Sequence, residues 1–336
     1  MKIGFFEAEG WEKEILNKEL QGLDIYFSNE WLTKENVENF KDIEILSIFV
    51  CSQIDKEVIN SLPNLKFIAT RSTGFDHIDV NYCKEKGIVV SNVPEYGTKT
   101  VTEWTFGLMI NLMRKIYYAI DQIKETESFD LGNLRGEELF GKTLGVIGTG
   151  RIGKEIIKIA KAFGMNIIAF DVYPDEKFAQ EQNIQYVSLE NLLQNADIIT
   201  IHVNLNSSTY HLINKENVKI IKRGAYLINT ARGGIVETEA LVYALKEGIL
   251  KGAALDVLEE ETEIKEELEL LVKPELKTEE IKTLWQNHIL MKMPNVLITP
   301  HNAFNSKEAV SRILATTIDN IKAFLSGNPI NTVKSN

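Results

Sequence analysis

Cysteine is scarce: Cys51 and Cys83 are the only two in 336 residues, and they have no CxxC spacing. Neither a disulfide framework nor a zinc site is expected from them. The histidines are as sparse, with His77, His202, His211, His288 and His301 scattered and no HExxH pairing, so no structural metal is predicted. No apolar run approaches the roughly 18 residues that a membrane span needs. The opening MKIGFFEAEGWEKE also lacks the uninterrupted apolar segment of a signal peptide, and a cytoplasmic protein is expected. Positive charge is in deficit, and the net charge of -11 argues against electrostatic binding to nucleic acid or to an anionic membrane. There is no internal repeat, low-complexity tract or Gly/Ser linker. What remains is an ordinary globular composition, 44% hydrophobic and 25% charged, in a chain long enough for two domains.

The most informative stretch is Thr143 to Asp171, TLGVIGTGRIGKEIIKIAKAFGMNIIAFD. Leu144 to Ile147 reads as a buried parallel strand, and Gly148, Gly150 and Gly153 follow at once. In a dinucleotide site the first glycine permits the tight turn, the second lets backbone approach a pyrophosphate, and the third lets helix and strand pack closely. Ile152, Ile156, Ile159 and Phe163 recur at helical spacing. Asn166 to Phe170 is the next strand and puts Asp171 at its C-terminal end, where a carboxylate can accept from ribose hydroxyls. A lone GxGxxG is weak evidence, but here strand, helix and acid complete the unit. Val172 to Glu176 contains no Lys or Arg to pair with a 2′-phosphate, so NAD is favoured over NADP.

Short strands alternate with helical stretches before this unit, at Lys2 to Phe6, Asp24 to Phe27, Glu44 to Val50, Lys66 to Thr70 and Ile88 to Ser91. That alternation implies a parallel α/β sheet of their own. A long amphipathic helix over about Lys99 to Lys124 follows, with Val101, Trp104, Leu108, Leu112 and Met113 near one face as core or subunit-contact residues. After Asp171, strands are expected at Ile198 to Val203, Ala225 to Asn229, Gly252 to Val257 and Val296 to Thr299. The last helix, about Ser306 to Leu325, should pack back on the N-terminal sheet. Glu259 to Lys282, rich in Glu and Lys, reads as one or two solvated surface helices.

Three strand ends carry candidate chemistry, at the edge where open α/β sheets bind ligands. Arg232, in LINTARGG, offers a planar fork for a carboxylate, although a loop-closing arginine is as ordinary a reading. The strand AALDV runs into Glu259, Glu260 and Glu261, and spacing alone does not select one of them. His301, in LITPHNAF, follows a strand and a proline, a place where a satisfied structural histidine is common.

TGFDHIDVNYCKEKGIVVSNVPEY, GVIGTGRIG, NTARGGIVETEAL, GAALDVLEEE and TPHNAF, taken together and in this order, resemble the D-isomer-specific 2-hydroxyacid dehydrogenases over about Glu44 to Phe324. Tyr96 in NVPEY, the TPHNAF ending and the insertion after Glu261 are most similar to the D-lactate dehydrogenase branch. The 3-phosphoglycerate dehydrogenase branch is less similar. The resemblance implies an α/β fold of two doubly wound parallel-sheet domains. A Rossmann NAD-binding domain of residues 101–299 would be inserted into a discontinuous flavodoxin-like substrate domain of residues 1–100 and 300–336.

Site roles follow from the resemblance. Arg232 would clamp the substrate carboxylate, His301 would be the acid/base, and Glu261, five residues after Asp256, its partner. Asp256 would hold the nicotinamide carboxamide. Gly148, Gly150, Arg151, Ile152 and Gly153 would surround the pyrophosphate and Asp171 the ribose, while Val203, Asn204, Thr209, Thr230 and Ala231 would line the cofactor site. Cys51, Thr73, Gly74, Tyr96 and Phe304, with Arg232, would surround the substrate. Three positions depart from the family pattern. Asn204 replaces a usual proline, Trp104 replaces a common histidine at a position expected to matter little, and Cys51 stands where D-lactate dehydrogenases have a bulky aromatic.

The activity implied is reversible, NADH-dependent reduction of a small 2-keto acid, pyruvate first, to the D-2-hydroxy acid, in a homodimer whose contact is the Lys99 to Lys124 helix. Carbonyl reduction needs an acid and a fixed cation. Rival readings are a hydroxypyruvate/glyoxylate reductase, a 3-phosphoglycerate dehydrogenase, or an NAD-sensing corepressor that is a binding module. A phosphate-bearing substrate should need extra cations near Ser72, Thr73 and Tyr96, where only Arg71 is adjacent.

Overall fold

The computed structural model describes residues 1–259 and 278–333. The chain divides into two compact units, Met1–Gly97 with Asn305–Asn336, and Thr98–Phe304. In the first, β1 (Lys2–Phe5), β2 (Asp24–Phe27), β3 (Ile45–Ile48), β4 (Phe67–Thr70) and β5 (Val89–Ser91) form an all-parallel sheet in the order β2-β1-β3-β4-β5. The interior strands β3 and β4 are buried at every position, whereas the edge strand β2 alternates. Strands covered on both faces are mostly apolar, with Ser47 and Thr70 the buried polar exceptions here, which is why these segments read as near-continuous runs in the sequence.

The last helix, Lys307–Leu325, begins where Ser306 Oγ accepts the Ala309 N–H at 3.2 Å. Its Leu314, Ile318 and Ile321 share one core cluster with Ile3, Phe5 and Phe67, and Phe324 stacks on Phe67 with ring centroids 4.4 Å apart. The return of this helix to the N-terminal sheet is thus as the sequence predicts.

The second unit holds β6 (Thr143–Ile147), β7 (Asn166–Phe170), β8 (Gln185–Tyr186), β9 (Ile198–Ile201), β10 (Ala225–Asn229), β11 (Leu250–Leu255) and β12 (Val296–Ile298). They run parallel in the order β12-β11-β10-β9-β6-β7-β8. The two-residue edge strand β8 is too short to announce itself in the sequence.

One long helix was expected over Lys99 to Lys124, and two are found, Thr98–Arg114 and Ile116–Thr126. Lys115 between them is left-handed, with φ 55°. Asn111 Oδ1 takes the Tyr117 N–H at 2.7 Å, so a side chain replaces the backbone acceptor there and the axis breaks. The first helix buries Phe106, Leu108, Met109, Leu112 and Met113, and the second buries nothing. Of the acidic stretch expected to form surface helices, residues 260–277 lie outside the described residues, and Thr278–Lys292 is a helix. No helix among the described residues is long and apolar enough to cross a membrane.

Candidate active site

The three glycines after β6 do three different things. Gly148 has φ +91°, and a Cβ there would lie 2.6 Å from the His202 carbonyl oxygen. A Cβ on Gly153 would stand 2.0 Å from the Gly148 carbonyl oxygen, so helix Arg151–Ala162 packs against the turn only because that atom is missing. At Gly150, the residue that caps this helix, an added Cβ meets nothing within 4 Å. Open space therefore lies in front of a helix N-terminus, where N–H groups and the dipole favour an anion.

Asp171 follows β7 as predicted. Its Oδ2 accepts the Thr149 N–H at 2.6 Å and the Thr149 hydroxyl at 3.0 Å, and its Oδ1 accepts the Tyr173 N–H at 2.9 Å. A carboxylate has about four acceptor positions, so Oδ1 keeps capacity for a hydroxyl. Thr149 Oγ1 also lies 2.8 Å from Tyr186 Oη on β8. Neither Thr149 nor Tyr186 figured among the expected site residues, because the variable position inside a glycine motif and a two-residue edge strand carry no pattern.

The other candidates of this unit leave the same C-terminal edge. Val203 and Asn204 follow β9, and the Asn204 carbonyl accepts the Thr209 hydroxyl at 2.6 Å. Thr230, Ala231 and Arg232 follow β10, in a turn shaped by Asn229, which accepts the Ala231 N–H at 3.0 Å and donates to the Arg232 carbonyl at 2.9 Å. Thr230 and Thr105 hydroxyls are 2.9 Å apart. Gly233 lies so close to the backbone of Leu258 and Glu259 that a Cβ would come within 2.0 Å of Leu258. The loops after β10 and β11 are thereby pressed together beside Arg232.

Asp256, expected to hold a cofactor amide, is 1% exposed and already heavily engaged. It accepts from Asn302 N at 2.9 Å, Ala303 N at 2.8 Å, Trp104 Nε1 at 3.1 Å and the Thr299 hydroxyl. Its carbonyl also takes the His301 N–H at 2.8 Å. Asp256 therefore builds the loop that carries His301, a left-handed residue with φ 51°. Trp104 was expected to matter little; instead its indole N–H is one of the donors that fix this carboxylate. Phe304 faces the His301 ring edge-on with centroids 6.4 Å apart.

Glu261, the expected partner of His301, lies outside the described residues. The structure shows a different pair that the sequence does not announce: His211 Nε2 sits 2.6 Å from Glu259 Oε1. The other Glu259 oxygen accepts the N–H and hydroxyl of Thr238, which ties the loop after β11 to the start of helix Thr238–Lys246. His77 is buried against Thr70 Oγ1 at 3.2 Å, and desolvation pushes His202 down to about 3, so that ring is neutral.

In the first unit Cys51, Thr73, Gly74 and Tyr96 lie on the loops after β3, β4 and β5, adjacent strands of one sheet edge. The Thr73 hydroxyl donates to the Val93 carbonyl at 2.8 Å, Ser72 Oγ to the Gly74 carbonyl at 2.6 Å, and Arg312 Nη2 to the Tyr96 carbonyl at 2.8 Å. Cys51 is half-buried, and its N–H goes to Glu7 Oε2 at 3.0 Å. A cavity of about 680 Å³ in this unit, lined by Glu7, Glu9, Lys13, Asn29 and Trp31 among others, includes none of the expected site residues.

The family model of the D-isomer-specific 2-hydroxyacid dehydrogenase NAD-binding domain matches residues 106–303. The chain belongs to this family. It is 39% identical to glyoxylate reductase of Thermofilum pendens over 319 residues, 92% of this chain and 87% of that protein. It is also 39% identical to an aromatic 2-oxoacid reductase of Clostridium sporogenes over 291 residues, 85% of this chain and 83% of that one. The solved D-lactate dehydrogenase of Aquifex aeolicus, complexed with NAD and lactic acid, superposes with a TM-score of 0.88 at 33% identity, over 99% of this chain and all of that one.

This 2-hydroxyacid dehydrogenase is NAD-dependent. The residues present fit the cofactor on their own terms: open space at Gly150, a helix N-terminus behind it, and a carboxylate with spare acceptor capacity at the end of β7. Val172 and Tyr173, next to that carboxylate, are exposed and uncharged. Lys154 is paired with Asp175 at 2.5 Å. Nothing in that set welcomes a 2′-phosphate.

Proposed function

We propose that the enzyme reduces a small, unbranched 2-keto acid, pyruvate or 2-ketobutyrate, to the D-2-hydroxy acid, reversibly and in the cytoplasm. The observation that carries this reading is the placement of Arg232 and His301 at the ends of β10 and β12, either side of the loop-building Asp256. NADH, when bound, supplies the hydride to the ketone carbon. Arg232 binds the substrate carboxylate as a two-pronged donor and fixes which face of the ketone is presented. His301 donates its proton to the ketone oxygen as negative charge develops there, and takes it back in the oxidative direction. Glu261 orients that imidazole. Gly148, Gly150, Arg151, Ile152 and Gly153 hold the pyrophosphate, Asp171 the ribose, and Val203, Asn204, Thr209, Thr230 and Ala231 the rest of the cofactor. Asp256 keeps the His301 loop in place. Thr73, Gly74, Tyr96 and Phe304 contact the substrate, with Cys51 beside its side chain.

A phosphate-bearing substrate is disfavoured by Arg71. This cation is 2% exposed and donates to the Phe6 and Glu7 carbonyls at 2.8 and 2.6 Å, beside Glu12 at 3.7 Å. A homodimer is proposed through helix Ile116–Thr126, which exposes Ile116, Ile120 and Ile123, with Phe129, Leu131 and Phe140 also exposed beyond it. The deciding experiment is a panel of keto acids with NADH, including glyoxylate, hydroxypyruvate and phenylpyruvate, with the configuration of the product determined. Turnover confined to glyoxylate and hydroxypyruvate would replace the proposed substrate. No turnover with tight NADH binding would favour a sensing role.

A further inference from the structure

In the five-stranded sheet the strand order reverses between β1 and β3, so the loops leaving these two neighbours flank the crevice where such sheets bind ligands. Here one side chain spans that crevice. Glu7, two residues beyond β1, is left-handed with φ 55°. Its Oε1 accepts Phe49 N at 3.2 Å, Ser52 N at 3.1 Å and the Ser52 hydroxyl at 2.6 Å, and its Oε2 accepts Cys51 N at 3.0 Å. Backbone N–H groups converging in this way form an anion-binding nest, and the chain fills it with its own carboxylate.

A non-glycine residue is held left-handed only where its surroundings over-determine it. They do so here. Arg71 clamps the Glu7 carbonyl at 2.6 Å, and the Glu7 N–H donates to the Glu30 carbonyl at 3.0 Å. Beyond the nest, Ser52 Oγ accepts the Leu32 N–H at 3.0 Å. The arrangement fixes the backbone of the residue on which the proposed substrate preference turns.

We propose that Glu7 is a positioning residue for substrate selectivity: its carboxylate sets the course of Phe49–Ser52 and so decides where the Cys51 side chain stands. The inference rests on the reading of Cys51 as the neighbour of the substrate side chain. It predicts which step Glu7 affects, namely recognition of the keto acid rather than cofactor binding or proton transfer.

Glu7→Gln tests it, because the amide keeps the size but turns one acceptor into a donor that faces an N–H. The KM for pyruvate and 2-ketobutyrate should rise at least about tenfold with kcat within about threefold, and the ratio of their kcat/KM values should move at least about fivefold. NADH affinity, read by fluorescence titration, should stay within about twofold of wild type. Ser52→Ala removes the hydroxyl donor alone, and should move the same ratio in the same direction by less; if Glu7→Gln does not fold, this variant decides. A wild-type enzyme that turns over keto acids, with a ratio that these variants leave unmoved while the melting temperature falls, overturns this inference alone and makes the nest mere scaffold. A wild-type enzyme idle across the whole panel overturns the proposed activity and this inference with it.

Discussion

The two sheets reverse direction beside their first strands and use the resulting crevices in opposite ways. Beyond β6 the chain supplies Gly150, around which an added Cβ would meet nothing within 4 Å, and a helix N-terminus is left facing open space. Beyond β1 it supplies Glu7, whose carboxylate occupies the N–H groups of Phe49, Cys51 and Ser52. Topology offers an anion site in each unit. The residue just past the first strand decides whether a ligand's anion or the chain's own takes it.

The open crevice should be the easier to break. Gly153→Ala puts a methyl group 2.0 Å from a backbone oxygen that cannot move without undoing the turn. Overpacking of that kind costs about 1 to 3 kcal/mol or more, and NADH binding should go with it. Gly150→Ala should leave the melting temperature near wild type yet weaken NADH at least about tenfold, because the space it fills is the space proposed for the pyrophosphate. Thermal melts and fluorescence titration separate the two. Wild-type NADH affinity in Gly150→Ala would remove the assignment.

On the filled side the test is Cys51. One methylene in an apolar pocket is worth about 1 to 3 kcal/mol of discrimination, so 2-ketobutyrate should be used at least as efficiently as pyruvate. Cys51→Tyr should restore the preference for pyruvate. Strict pyruvate selectivity in the wild type, unchanged in the variant, would mean that another side chain fills the gap.

Arg232→Lys separates cofactor from substrate within the second unit. Lysine keeps the charge and loses the fork, so kcat/KM should fall at least about tenfold, or about 1.4 kcal/mol, with NADH affinity intact. Near-wild-type kinetics would eliminate the clamp.

Most strands were legible because interior parallel strands are buried at every position and so mostly apolar, as β9 and β10 are apart from Thr200 and Asn229. The glycine unit was legible because each glycine answers a different steric demand. What the sequence hid depends on side chains far apart in the chain. Nothing near Glu7 marks it as the acceptor for residues more than 40 positions later. The break at Lys115 needs Asn111 to capture the Tyr117 N–H. Trp104 was noticed as a departure and discounted, since only the folded chain brings it to Asp256.

The edges opposite the crevices invite a finer comparison, because each is stitched by one carboxylate between two lysines. In the first unit Glu44 accepts from Lys66 Nζ at 2.6 Å and from the Lys2 N–H at 3.2 Å, while Lys2 Nζ itself goes to Asp42. In the second, Glu137 accepts from Lys142, from Lys251 and from the Tyr226 hydroxyl at 3.1 Å, joining the starts of β6, β10 and β11. Hydrogen bonds from the two lysines hold Glu137 down at about 2, against a usual value of 4.5, and Lys66 lowers Glu44 as well. A carboxylate lowered by folding adds stability that is fully present above the unfolded value and is lost as pH falls through the folded one. The melting-temperature deficit of Glu137→Gln should therefore be complete above about pH 4.5 and close only as pH falls towards 2. For a partly exposed network of order 1 kcal/mol it should amount to about 2 to 4 °C. Glu44→Gln should show a smaller deficit, because one lysine side chain holds Glu44 where two hold Glu137. A Glu137→Gln deficit that does not shrink between pH 4.5 and pH 2 would mean that packing at the start of β6, and not the charge, holds that edge.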